Sequence, residues 1–224
     1  MTFQLKKVKM KSSMKIVLKT DFVDFYDYLF DQITKPEPHL VFQRVRRNNV
    51  SRSNLFSQLE KMNEPVIPHG VLNDLSKKFW SAKKFVVYLD EYSHDGDGKI
   101  LIDRKDIPSY SNYLSSIYIN QNSFETHKKI VIGKKVFWFK MKSNHEWKSN
   151  VGDVTYEIIE EQTISDFSNY NFPLYEIDYV KQDDISWAVD LNLAPLLKTF
   201  NDFIGDDEIY SEIKNWYERL YDYG

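Results

Sequence analysis

The stretch from Asn171 to Phe200 constrains the chain most. Leu174, Tyr175 and Ile177 lead to Asp178, a polar turn follows over Lys181 to Ser186, and Trp187, Ala188 and Val189 lead to Asp190. β-Branched and aromatic residues on either side of a charged turn predict a β-hairpin. Residues i and i+2 share a face of a strand, so Asp190 and Asn192 point the same way, and Asp178 on the partner strand can join them. Two carboxylates and an amide oxygen form a hard, all-oxygen set of the kind that holds magnesium together with substrate phosphates. On spacing alone the simpler reading, a hairpin with acids near its exposed edge, has the advantage. Ala194-Pro195 ends the second strand.

The 224 residues suffice for one large or two small domains with a real core. Hydrophobic residues at 42% and charged residues at 28% place the chain among globular proteins. The aromatic share of 16% supplies packing or stacking surfaces. A net charge of −3 lends no support to nucleic-acid or membrane binding. Without cysteine there are no disulfides, thiolate metal sites or cysteine nucleophile, which fits a cytoplasmic protein. The sequence shows no apolar run of bilayer-spanning length and no signal peptide.

Along the chain, residues 1–13 read as a basic flexible arm. Lys15 to Lys19 is a short strand. Phe22, Phe25, Tyr26, Leu29 and Phe30 recur at helical spacing, with Asp24, Asp27 and Asp31 on the wet face, and predict an amphipathic helix. His39 to Val45 is a second strand. Arg44, Arg46, Arg47 and Arg52 form a basic cluster. Ser51 or Ser53 starts a helix with Leu55, Phe56, Leu59 and Met62 on one face. Val71 to Phe79 suits a short helix, and Phe85 to Leu89 a strand buried on both faces. A hairpin spans Lys129–Ile132 and Val136–Met141 around Gly133-Lys134. Ser143 to Gly152 is a polar loop, Val154 to Ile159 a strand, and Asp206 to Tyr223 an amphipathic C-terminal helix.

Between Phe85–Leu89 and the returning strand Ile100–Ile102 lies Ser93-His94-Asp95-Gly96-Asp97-Gly98-Lys99. An EF-hand counted from Ser93 would need glutamate where Arg104 stands, so a calcium loop is rejected. A plain Asp-Gly hairpin turn is one reading. A glycine loop closing over phosphates through its N–H groups is the other, provided Lys99 or a metal offsets Asp95 and Asp97.

The order of these pieces resembles the ATP-grasp fold, most closely its ribosomal-protein glutamate ligase branch. Ser51-Arg52 through Leu59, with Pro65-Val66-Ile67-Pro68, is similar to the family's helix and proline-bearing entry strand. Phe85 to Ile102 resembles its strand, glycine loop and strand, and Ile130 to Lys142 its hairpin. Trp147-Lys148-Ser149-Asn150 is similar to an aromatic-Arg-Ser-Asn loop. Asp178 with Asp190-Leu191-Asn192-Leu193-Ala194-Pro195 resembles its closing metal signature. The resemblance implies an α+β protein with mixed or antiparallel sheets, flanking helices and a shortened N-terminal subdomain. The divisions would be an arm at 1–13, a shortened α/β region at 14–80, an ATP-grasp-like core at 81–205 and a helix at 206–224.

By the same resemblance ATP lies between two subdomains and Mg2+ bridges its phosphates. A carboxylate takes the γ-phosphoryl group, and an amine then displaces phosphate from the acylphosphate; positioning and charge neutralisation carry such chemistry. Asp178, Asp190 and Asn192 would hold the metal, Lys142 would face the phosphates, and Lys148 and Asn150 would line the transfer site. Gly96 and Gly98 would lie in the lid with Lys99 beside them, and Arg52 would replace an upstream lysine. The expected partners are a nucleotide and a carboxylate or amine substrate, proteins and peptides included. The chain departs from the pattern in five ways: no lysine sits inside FVVYL, Arg52 stands for the upstream lysine, the glycine loop is acidic, Asp190 replaces the usual glutamate, and the region before Arg52 is short. Those departures keep open a second reading, a degenerate scaffold that binds a nucleotide or protein partner without catalysis.

Overall fold

The computed structural model describes residues 4–9, 13–19, 25–32, 38–45, 51–93, 97–119, 125–143, 147, 153–164, 174–192 and 211, with backbone alone before residue 50. Three antiparallel sheets and a few short helices make an α+β protein.

The first sheet is a meander of β1 (Gln4–Lys9), β2 (Ser13–Lys19), β3 (Phe25–Gln32) and β4 (Pro38–Val45). Two expectations change here. From Phe25 onward the helix read over Phe22 to Phe30 is strand β3, paired on both sides, with Tyr28 opposite Ile16 and Phe42; residues 22–24 lie outside the described residues. Its aromatic residues fit helical spacing, but they also favour strands, and two neighbouring strands decide the outcome. The arm read over residues 1–13 contains β1, which pairs with β2 from Gln4↔Lys19 to Lys9↔Met14.

Helix α1 (Arg52–Lys61) follows, with the Ser51 side chain accepting from the Asn54 N–H as its N-cap. The chain then crosses Val66, which forms a parallel bridge to Ala188, into β5 (His69–Val71) and α2 (Leu72–Lys78). A second sheet, ordered β5-β8-β6-β7, adds β6 (Lys84–Tyr88), β7 (Lys99–Asp103) and β8 (Leu114–Ile117). A one-turn helix α3 (Ile107–Tyr110) links β7 to β8. Strand β6 is central, as its apolar run predicts, with Phe85, Val87 and Tyr88 buried. Arg104 donates to the carbonyls of Ser76 (2.7 Å) and Ala82 (3.1 Å), so it anchors the α2–β6 connection.

The third sheet, ordered β11-β10-β9-β12-β13, comprises β9 (Glu125–Ile132), β10 (Lys135–Ser143), β11 (Val154–Thr163), β12 (Leu174–Gln182) and β13 (Ile185–Asn192). Both predicted hairpins form. The β12–β13 turn is tighter than expected: Gln182 pairs with Ile185, leaving only Asp183 and Asp184 between the strands, with Asp183 at φ +53°. Pairing continues through Lys181↔Ser186, residues expected in the turn. Ala194-Pro195 lies outside the described residues, as does the C-terminal helix except for Ser211, which is helical.

One core unites α1 with the third sheet: Leu55, Phe56, Leu59 and Ile67 pack with Ile130, Phe139, Ile177 and Leu191, and Tyr88 joins them from β6. A second, smaller core of Leu72, Leu75, Phe85, Val87 and Ile102 lies under α2.

Candidate functional site

The site is built on β9, β12 and β13. Lys128 on β9 stands directly opposite Asp178 on β12, and Asp178 stands opposite Asp190 on β13. One pleat along, Glu176 faces Asn192. Directly opposite residues share a face, and so do residues two apart, so Lys128, Glu176, Asp178, Asp190 and Asn192 project from one side of the sheet. A bulge makes this possible. Tyr179 pairs with Ala188 while Asp178 pairs with Asp190, so Val189 is the extra residue. A regular hairpin from the same turn would set Val189 opposite Asp178 and turn Asp190 to the other face.

Among the described residues, Lys128 and Arg52 engage these acids. Lys128 Nζ donates to Glu176 Oε1 and lies 2.8 Å from Asp178 Oδ1. The Lys128, Glu176 and Asp178 side chains are 7%, 9% and 16% exposed, so the triad is largely desolvated. Asp178 Oδ1 finds no hydrogen-bond partner among the described residues beyond this ionic contact. Burial pulls the Lys128 ammonium down, but Asp178 and Glu176 outweigh it and hold it above the usual lysine value. Burial pushes the Glu176 carboxyl up, and Lys128 pulls it partly back.

Arg52 supplies the second cation. It is buried at the first turn of α1, and its Nη1 donates to Asp190 Oδ1, which also accepts from the Leu191 N–H at 2.9 Å. Burial lowers the Arg52 value, and Asp190, Tyr88 and Asp178 together more than restore it. The guanidinium lies 5.4 Å from the centre of the Tyr88 ring. Tyr88 contacts the Ser116 hydroxyl at 3.1 Å, and burial raises its phenol. Arg52 N–H donates to the Glu91 carbonyl at 2.8 Å, and Ser53 Oγ donates to the Glu91 carboxylate. Thus α1 carries its arginine between Asp190 and the base of the glycine loop.

That loop begins tightly. Asp90 Oδ1 accepts from Tyr92 N–H (2.9 Å), and Ser93 Oγ donates to Asp90 Oδ2 (3.2 Å). Gly98 closes it at φ +63°, and a Cβ there would lie 2.5 Å from Ser93 Cβ. Lys99 pairs with Tyr88 across β6 and β7. Lys84 lies on the same face of β6 as Tyr88 and lines a cavity of about 470 Å3 with Lys83, Leu101, Tyr118 and Trp147. Two ammonium groups and two aromatic rings suit an anionic ligand with a flat ring system.

The structure thus gathers Arg52, Asp178, Asp190 and Asn192. Lys142 is exposed and projects from the other face of β10, since Phe139, three residues earlier, stands opposite Lys128. Gly96, Lys148 and Asn150 lie outside the described residues. The sequence reading missed Lys128 and Glu176. The signal was present: Glu176 and Asp178 are two acids at i and i+2 on an otherwise apolar strand. The oxygen donors Asp178, Asp190 and Asn192 fit a hard divalent cation in chemistry. In the present arrangement, however, Lys128 and Arg52 hold the carboxylates, and among the described residues no three acidic or histidine side chains are gathered to hold a metal. No helix among the described residues is long and apolar enough to cross a membrane.

No protein-family model matches the chain, and no curated protein matches it. Among solved structures, it is similar to the ATP-grasp ligase PsnB complexed with a minimal precursor, at 12% identity and a TM-score of 0.53, over 74% of this chain. The chain spans 60% of that protein's length. It is also similar to D-alanine–D-alanine ligase from Bacillus anthracis, at 12% identity and a TM-score of 0.50, over 79% of this chain and 72% of that one. The same enzyme complexed with ATP gives 12% identity and a TM-score of 0.50, over 78% of this chain and 68% of that one. At such identities the likeness bears on architecture alone, and by architecture this chain has the ATP-grasp fold.

Proposed function

We propose that the protein is a magnesium–ATP-dependent carboxylate–amine ligase. The observation that carries this reading is the convergence of Asp178, Asp190 and Asn192 on one sheet face, with buried Arg52 reaching it from the neighbouring helix. The nucleotide would place its base against Tyr118 and Trp147 beside Lys84, and Arg52, held at Asp190, would meet its phosphates. Asp178, Asp190 and Asn192 would hold the metal, which would supply charge neutralisation at the phosphates. A substrate carboxylate accepts the γ-phosphoryl group and releases ADP; an amine then attacks the acylphosphate carbon, leaving an amide and phosphate. Residues 81–205 would be the working core, 14–80 a shortened N-terminal region and 206–224 a C-terminal helix. Gly96 would join Gly98 in the lid, and Lys148 and Asn150 would line the transfer site. Peptide substrates suit the reading, since the similar ligase PsnB is complexed with a precursor.

A second reading, a scaffold that binds a nucleotide or a protein without turnover, is favoured by Tyr88. It ends β6 with a buried, hydrogen-bonded phenol, and the strand in which the resemblance leads one to expect an interior lysine carries one only at its exposed first position, Lys84. Calorimetric titration with a non-hydrolysable ATP analogue, with and without magnesium, tests both. Magnesium-dependent binding that vanishes in Asp190→Ala/Asn192→Ala supports the ligase site, and ATP consumption with a carboxylate and an amine then separates enzyme from scaffold. No binding by folded wild-type protein overturns the ligase reading.

A further inference from the structure

Lys128 stands between two of the carboxylates on this face of the sheet. Its ammonium bridges Glu176 and Asp178, both nearly desolvated, and it arrives there because β9 lies between β10 and β12 with Lys128 directly opposite Asp178. Arg52 likewise engages Asp190. Among the described residues, these carboxylates therefore face the Lys128 and Arg52 cations. A doubly charged cation cannot enter between Glu176 and Asp178 while the ammonium remains, because like charges within a few ångströms repel strongly in a poorly solvated site.

We infer that Lys128 is a built-in counter-ion that excludes free divalent metal from the Glu176–Asp178 pair until the polyphosphate of a nucleotide draws the ammonium away. The identity of the anion rests on the proposed ligase function; the exclusion of free metal rests on the geometry alone. Metal and polyphosphate would then bind as a coupled pair, each raising the affinity for the other by the same factor. The device would keep the acids paired and the site closed to cellular divalent ions when no nucleotide is present.

Mn2+ alone, without nucleotide, is the probe, followed by its electron paramagnetic resonance signal and by calorimetry. Wild-type protein should bind it weakly. Lys128→Met should bind about tenfold or more tightly, Lys128→Met/Asp178→Asn should lose that gain, and Lys128→Arg, which keeps the charge, should resemble wild type. If Lys128→Met does not fold unaided, Mn2+ should restore its circular dichroism spectrum, since the ion replaces the missing charge. The inference is overturned if Lys128→Met shows neither gain nor rescue, if Lys128→Arg gains equally, or if wild type binds Mn2+ alone as tightly as Lys128→Met. Failure of the ligase reading shows elsewhere, as absence of nucleotide binding, and leaves these metal-only results standing.

Discussion

Glu176 sits where burial pushes its carboxyl above the usual carboxylate range, with Lys128 opposing and Asp178 and Asp190 reinforcing the shift. A raised value means that the folded state keeps a proton the unfolded chain has already released. Stability therefore falls as pH rises through the window between the unfolded and folded values. Glu176→Gln has no proton to lose. Its stability relative to wild type should climb as pH rises from about 4, the ordinary glutamate value, toward neutrality, as read from urea midpoints at each pH. A pH-independent difference would refute the burial account. Lys128 behaves oppositely: removing it strands two buried carboxylates. Lys128→Met should cost about 3–5 kcal/mol, measured by the same urea series at neutral pH. Lys128→Met/Glu176→Gln should recover part of that loss, because one stranded charge is gone.

Gly98 shows how an element depends on one position. Its φ of +63° and the 2.5 Å approach of Ser93 Cβ to any added Cβ make alanine doubly unfavourable. Gly98→Ala should destabilise by about 1–3 kcal/mol, and Ser93→Gly should relieve the steric share but not the backbone share. Thermal melts of the two single variants and the double variant separate the shares; full rescue would show that backbone strain contributes nothing. The turn at Gly98 was legible because Asp-Gly marks a turn, but the sequence could not show that Gly98 lies against Ser93. The β12–β13 hairpin was legible from its composition. The bulge at Val189 was not, because an extra residue leaves the alternation of each half intact and changes only their relative phase. Strand β3 was misread because Phe25, Tyr26, Leu29 and Phe30 satisfy helical spacing, while the partners that make it a strand lie in β2 and β4.

The molecule's two cores meet at β6, whose Phe85 and Val87 point under α2 while Tyr88 points toward α1 and the third sheet. Sequence order suggested the ATP-grasp arrangement, yet the joint between the cores was invisible to it, because the joint depends on contacts between residues far apart in the chain. Phe56 is the clearest of them. It is fully buried, stacks on the His69 ring at 4.3 Å, and meets Tyr88 edge-on at 5.9 Å. Arg52, one turn earlier, adds the charged link from Tyr88 to Asp190. Truncating Phe56 removes apolar contact from the joint but leaves Leu72, Leu75, Phe85, Val87 and Ile102 packed as they are. Phe56→Ala should therefore cost about 3–5 kcal/mol and also weaken cooperativity between the cores. In calorimetry the wild type should unfold in one transition, with matching calorimetric and van't Hoff enthalpies. Phe56→Ala should broaden or split it, with amides of β12 and β13 exchanging before those of β6 and β7. A variant that loses stability yet keeps a single matched transition would mean that the two cores fold as one unit through other contacts, with Arg52 the first to test.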